Sequence, residues 1–108
     1  MSDKAAKNNN IKPLSKNAQK FLRGMAHDTK PVVTIADKGI TENILTELDI
    51  CLNQHELVKI KMRTDRATRQ EFPTRLLEAT QAHLVQAIGQ TLTLYRANPK
   101  KPVYELPK

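Results

Sequence analysis

"PVVTIADKGITENIL", running from Pro31 to Leu45, changes character in its middle. The first half is β-branched and strand-like; the second repeats apolar residues at helical spacing. Between them stands a turn, Ala36-Asp37-Lys38-Gly39, holding one of only three glycines in the chain. Pro31 opens a strand from Val32 to about Ile35. Thr41 is a good N-cap for a helix through about Asn53, with Ile44, Leu45, Leu48, Cys51 and Leu52 as its apolar stripe. Downstream, "ELVKIKMR" at residues 56–63 alternates, with Val58, Ile60 and Met62 on one face and Lys59, Lys61 and Arg63 on the other. Strand, helix and strand in this order make a β-α-β unit, which implies parallel strands and a right-handed crossover.

The flanks complete the fold. Residues 1–14 read as a disordered basic arm, and Pro13 stops any helix from extending backwards through it. Ser15 caps a first helix through about His27, in which Ala18, Phe21, Leu22 and Met25 face one way while Lys16, Lys20 and Arg23 lie away from them. Gly24 inside that helix costs propensity and points to something packed close by. After the second strand, Thr64 or Asp65 caps a third helix through about Gln81; Pro73 either kinks it or marks where its regular part begins. "HLVQAIG" and "TLTLYRA" form a hairpin around Gly89-Gln90. Residues 98–108 are a basic, proline-bearing tail expected to be ordered only in part. The prediction is one α+β (α/β) domain, α-β-α-β-α-β-β, with a mixed four-stranded sheet and helices packed on it.

With 108 residues the chain suits one small domain with one real core. It holds no apolar run near the roughly 20 residues that cross a bilayer, and no secretory leader is visible. The single cysteine, Cys51, makes no internal disulfide. These features point to a soluble protein of the cytoplasm with no membrane partner.

Charge is the informative quantity. The 18 Lys and Arg against 11 Asp and Glu leave +7, which favours polyanionic partners. It is also unevenly spread. Residues 15–39 carry five basic and two acidic side chains, or +3; residues 40–55 carry three acidic and no Lys or Arg, or −3; residues 56–71 carry five against three, or +2.

The Pro31–Leu45 turn gains meaning from this polarity. A strand, a short glycine turn and a helix N-terminus aim unpaired N–H groups outward, and the helix dipole adds about half a positive charge. Lys38 adds a full charge, and Gly39 lets a phosphate backbone come close. An ordinary connection between strand and helix is the competing reading. The turn is neither a P-loop, since the Gly-Lys-Ser/Thr ending is missing, nor a dinucleotide-binding turn.

"AHDTKPVVTIADKGITENIL", "NQHELVKIKM" and "AIGQTLTLYR" together resemble, in order and spacing, the bacterial YhbY-type CRM domain (chloroplast RNA splicing and ribosome maturation). The resemblance runs over residues 15–108, with the CRM domain itself at 15–97. It implies a fold related to the C-terminal domain of bacterial initiation factor three, with a KH-like GXXG loop. It also implies RNA binding and association with precursors of the large ribosomal subunit. The family's first loop glycine corresponds to Ala36 here, and the second is kept as Gly39. Alanine resists positive φ, which shifts the weight of the grip to Lys38, Gly39 and the helix start at Ile40 and Thr41.

The candidate RNA-binding residues are Lys20, Arg23, His27, Lys30, Ala36, Asp37, Lys38, Gly39, Thr41, Lys59 and Lys61. Each has a plainer reading: Lys20, Arg23 and Lys30 as solvated surface, His27 as a helix-end cation, and the β-strand lysines as side chains facing water. Burying Lys59, Lys61 and Arg63 beneath helices would be costly, so their face is expected to be at least partly open. His27, His55 and His83 are too scattered for a metal motif and Cys51 reads as a buried thiol. Tyr95 shares no face with Leu92 and Leu94, which leaves it either exposed or packed elsewhere.

With only four aromatic residues and no ribonucleoprotein signature, contacts should go mainly to phosphate and sugar. No nucleophile triad or metalloenzyme motif appears, so the chain reads as a binding protein rather than an enzyme, with no cofactor, metal or small-molecule substrate. The expected partners are ribosomal RNA and the precursor of the large ribosomal subunit. The alternative is a protein–protein adaptor on the ribosome or a translation factor, using the acidic second helix.

Overall fold

The computed structural model describes residues 13–108. The basic arm expected at 1–14 falls almost wholly outside them. Along the chain come α1 (Lys16–His27), β1 (Pro31–Ile35), α2 (Glu42–His55), β2 (Leu57–Met62), α3 (Arg66–Arg69), α4 (Phe72–Thr80), β3 (His83–Ile88) and β4 (Thr91–Tyr95). The sheet order is β1-β2-β4-β3. β1 and β2 are parallel, as the β-α-β reading requires; β4 runs antiparallel to both β2 and β3.

The predicted caps are in place. Ser15 Oγ accepts the Ala18 N–H at 3.0 Å, Thr41 Oγ1 that of Ile44 at 3.2 Å, and Asp65 Oδ1 that of Thr68 at 2.7 Å. The expected third helix is two pieces. α3 ends at Arg69, and α4 starts at Phe72 with Pro73 in its first turn, where its missing N–H costs nothing. Pro73 thus marks where the regular helix begins.

Both faces of the sheet are used. On one, Val33, Ile35, Val58, Ile60, Met62, Leu92 and Leu94 pack against Leu48 and Leu52 of α2 and Phe72 and Leu76 of α4. On the other, Leu57, Val85 and Tyr95 pack against Leu22 of α1, with Phe21, Met25, Tyr104 and Leu106 around them. Tyr95 is therefore packed, only 3% exposed, and stacks on His83 with ring centroids 6.3 Å apart. The space around Gly24 is open, with nothing within 4 Å of an added Cβ. The expected close neighbour is absent, and the structure gives no packing reason for glycine there.

The tail is fastened at both ends, where only partial order was expected. Glu56, 1% exposed, accepts the N–H groups of Val103 and Tyr104 at Oε1 (2.8 and 2.9 Å) and that of Asn98 at Oε2. Ser15 Oγ and Asn17 Nδ2 donate to the carbonyls of Pro107 and Lys108. The tail thereby braces α1 against the sheet. Arg96 ties the remaining layer together, donating to the Thr80 carbonyl at 2.9 Å and pairing with Asp49 at 2.8 Å.

Candidate nucleic-acid interface

The α1 face of the sheet reads as three cross-strand rows. Leu57, Tyr95 and His83 form the first; Lys59, Thr93 and Gln86 the second; Lys61, Thr91 and Ile88 the third, with Thr34 of β1 beside Lys61. α1 covers the first row and reaches the second through Lys59. The second is half covered, and the third lies open, Ile88 being 61% exposed. The strand face carrying Lys59, Lys61 and Arg63 is thus partly open, as the cost of burying them requires: the two lysines are half-buried and Arg63 is exposed.

Lys59 and Lys61 differ in what they have left to offer. Lys59 Nζ donates to the Ala26 carbonyl at 2.9 Å, closing the C-terminal end of α1, where a cation also meets the negative end of the helix dipole. Lys61 makes no such bond among the described residues. Between α1 and the open rows lies a hollow of about 170 Å³, bordered by His27, Lys59, Gln86 and Ile88.

The turn sits at the far end of β1. Because β1 and β2 are parallel, Ile35 pairs with Met62, and the Arg63 N–H donates to the Ile35 carbonyl at 2.7 Å. Arg63 therefore leaves the sheet beside the turn. The β3–β4 hairpin reaches the same end, with the Met62 N–H donating to Gln90 at 2.7 Å. Ala36, Asp37 and Lys38 are exposed, and Gly39 takes φ +74° with nothing within 4 Å of an added Cβ. Gly39 is thus required by its backbone conformation, and the space in front of it is free.

Two details change the picture of this turn. Ala36 is not at positive φ, so alanine in place of the family's usual glycine adds no strain. The Gly39 N–H donates back to the Ala36 carbonyl at 2.8 Å, which closes the turn and removes that donor from ligand contact. Thr41 takes the Ile44 N–H, leaving those of Glu42 and Asn43 as the unpaired donors of the α2 start among the described residues. Asp37 and Glu42 more than cancel Lys38 locally. The positive field at this end comes from Lys61 and Arg63 alongside.

On α1, Lys20, Arg23 and His27 follow one another at three- and four-residue spacing on the face opposite Leu22, all exposed. This stripe ends at His27, above the open rows. The structure thus joins Lys20, Arg23, His27, Lys59, Lys61 and the turn from Ala36 to Thr41 around one side and one end of the sheet. Lys30 stands apart. It precedes β1, at the end of that strand away from the turn, about 20 Å off at roughly 3.3 Å per residue.

Arg63 was assigned to the open strand face but not to the site; parallel pairing of β1 and β2, which the β-α-β order already implies, is the signal that puts it there. His83, Tyr95 and Cys51 serve the fold. Burial holds the His83 imidazole below its ordinary pKa and, with Glu56 second, pushes the Tyr95 phenol up. Cys51 is half-buried, its thiol pushed up by burial and then by Glu47. Among the described residues no three His, Cys, Asp or Glu side chains converge as a metal site needs, and no helix is long and apolar enough to cross a membrane.

Comparison with known proteins gives a consistent result. Residues 14–96 match the CRS1 / YhbY (CRM) domain. The chain is 40% identical over 96 residues to an RNA-binding protein of Haemophilus influenzae, covering 88% of this chain and 96% of that one. It is 38% identical over 88 residues to a protein of Pseudomonas aeruginosa named as a probable RNA-binding protein, covering 81% and 85% of the two chains. A Staphylococcus aureus protein solved in solution, and described as a candidate RNA-binding protein, superposes with a TM-score of 0.74 at 32% identity, over 88% of this chain and all of that one.

Proposed function

Since the chain belongs to the CRS1/YhbY (CRM) domain family, we propose that it is an RNA-binding protein that docks on structured ribosomal RNA in precursors of the large subunit. It acts in the cytoplasm as a binding module, not as an enzyme. The names of its relatives support RNA as the ligand class.

One observation carries the mode of binding. The open turn at Lys38-Gly39, the exit of β2 with Lys61 and Arg63, and the start of α2 all lie at one end of the sheet. A phosphate there meets two unpaired backbone N–H groups, a helix dipole and the cations of Lys38, Lys61 and Arg63, with open space in front of Gly39. The adjoining rows with Lys61, Thr91 and His27 extend this grip to neighbouring phosphates and ribose hydroxyls. With few aromatics on the open rows, recognition is of backbone and shape.

Crosslinking in cell lysate, followed by sequencing of the attached RNA, tests the partner. Enrichment of large-subunit ribosomal RNA, including unprocessed ends, is expected. Recovery of scattered messenger RNA, or of none, contradicts the assignment. Should the purified domain ignore protein-free ribosomal RNA yet hold a ribosomal protein, the adaptor reading through α2 replaces this one.

A further inference from the structure

On the opposite face of the sheet, at the same end, a cleft of about 470 Å³ opens between the α3–α4 junction and the β3–β4 hairpin. We propose that this cleft holds a single unpaired nucleotide of the bound RNA, with Arg66 and Arg69 on its phosphate and Gln70 at its base edge. The inference rests on the RNA-binding reading above and adds a separate subsite to it.

Three features support it. The volume lies within the roughly 300–1,000 Å³ typical of small-ligand clefts. The lining divides into a cationic wall and an apolar floor: Arg66, Arg69 and Gln70 on one side, Met62, Pro73 and Ala87 below, and no acidic residue among them. That is the division a nucleotide presents, with a charged phosphate at one end and a flat, weakly polar base at the other. The hairpin wall is Gly89, with nothing within 4 Å of an added Cβ, so a ligand passes it unhindered.

Folding accounts for only part of this arginine pair. They stand three apart in a four-residue helix, so their charges repel, and Arg66, in its first position, opposes the helix dipole. Arg66 is exposed and has no ion-pair partner among the described residues. Arg69 is half-buried, and its Nη1 donates to the Thr64 carbonyl at 2.9 Å, which fixes the guanidinium plane while leaving further donors for a ligand. The adjacent acid, Asp65, is engaged in capping α3 through the Thr68 N–H. The cleft and the turn lie at the same end of the sheet, separated by the exit of β2. An RNA backbone held at Lys38 reaches the cleft by passing the end of β2, but only where a nucleotide is free of its helix.

The test uses two RNA stems of equal length, one fully paired and one with a single-nucleotide bulge, and the double variant Arg66→Ala/Gln70→Ala. Arg69 is left intact because its hydrogen bond supports α3. Parent protein should prefer the bulged stem by about fivefold, what one net hydrogen bond at the base edge contributes. The double variant should lose that preference while binding the paired stem as the parent does, whereas Lys38→Glu should weaken both stems equally. Equal parental affinity for the two stems overturns the proposal. So does a double variant that keeps the preference, or that weakens both stems by the same factor. A parent that binds neither stem removes the RNA-binding reading itself, and the subsite with it.

Discussion

Replacing Glu56 probes how the tail holds the site together. Its carboxylate accepts three backbone N–H groups, from Asn98, Val103 and Tyr104, at 1% exposure. Glu56→Ala removes all three bonds. The released N–H groups lie near the surface and regain water, so each loss costs about 1 kcal/mol, the middle of the range for a net hydrogen bond. The sum is about 3 kcal/mol. At roughly 4–8 °C per kcal/mol for a domain of this size, Tm should fall by about 12–24 °C. Glu56→Gln keeps an oxygen for Val103 and Tyr104 but turns an amide donor toward the Asn98 N–H, and should cost about 1–2 kcal/mol. Glu56→Gly is the informative control. Glu56 has φ +61° and ψ −44°, a conformation costing a non-glycine residue about 1–3 kcal/mol. Glycine loses the same three bonds but relieves that strain, so it should be more stable than alanine by about 1 kcal/mol. Urea titrations monitored by circular dichroism give the ranking parent, Gln, Gly, Ala. An alanine variant within about 0.5 kcal/mol of the parent, or a glycine variant below alanine, would refute the reasoning.

Three further outcomes are expected. Gly24→Ala should stabilise the domain by about 0.5–1 kcal/mol in thermal or urea unfolding, since Gly24 is helical, exposed and without a close neighbour. Lys59→Met should cost about 1 kcal/mol by removing the bond to the Ala26 carbonyl, and hydrogen exchange should quicken in the last turn of α1 while β2 stays protected. Burial lowers the His83 pKa in the folded protein, whereas the unfolded chain titrates near the ordinary 6.5. Below that pH the unfolded state takes up the proton first, so stability should decline as pH falls through 6.5 toward the folded pKa, and His83→Phe should flatten that part of the profile.

Much of the fold was legible because local chemistry and tertiary need agree. The alternation of Val58, Ile60 and Met62, the cap at Thr41, the start of regular helix at Pro73 and the Gly89-Gln90 hairpin each survive in the structure. Period-two alternation separates two faces but does not say which is covered. Tyr95 turned out packed because α1 returns to the sheet's reverse side, a placement decided by contacts distant in sequence. The role of Glu56 has no local signal, because its partners lie 42, 47 and 48 positions downstream. For the site, the turn was readable from its glycine, lysine and cap. The hydrogen bond that spends Lys59 on α1, the distance of Lys30 from the turn and the return of the Gly39 N–H to Ala36 all depend on where elements meet. The cleft shared by the α3 arginines appears only once the hairpin is in place.

The most direct measurement is the affinity of parent and Lys38→Glu for protein-free large-subunit ribosomal RNA across a salt series. Lys38 is exposed, so the variant should melt as the parent does. Binding should weaken several-fold at moderate salt, and the slope of log affinity against log salt should become shallower by about 1 or more as a phosphate contact is lost. Equal affinities, or a parental response flat in salt, would contradict a cationic turn that holds an RNA backbone.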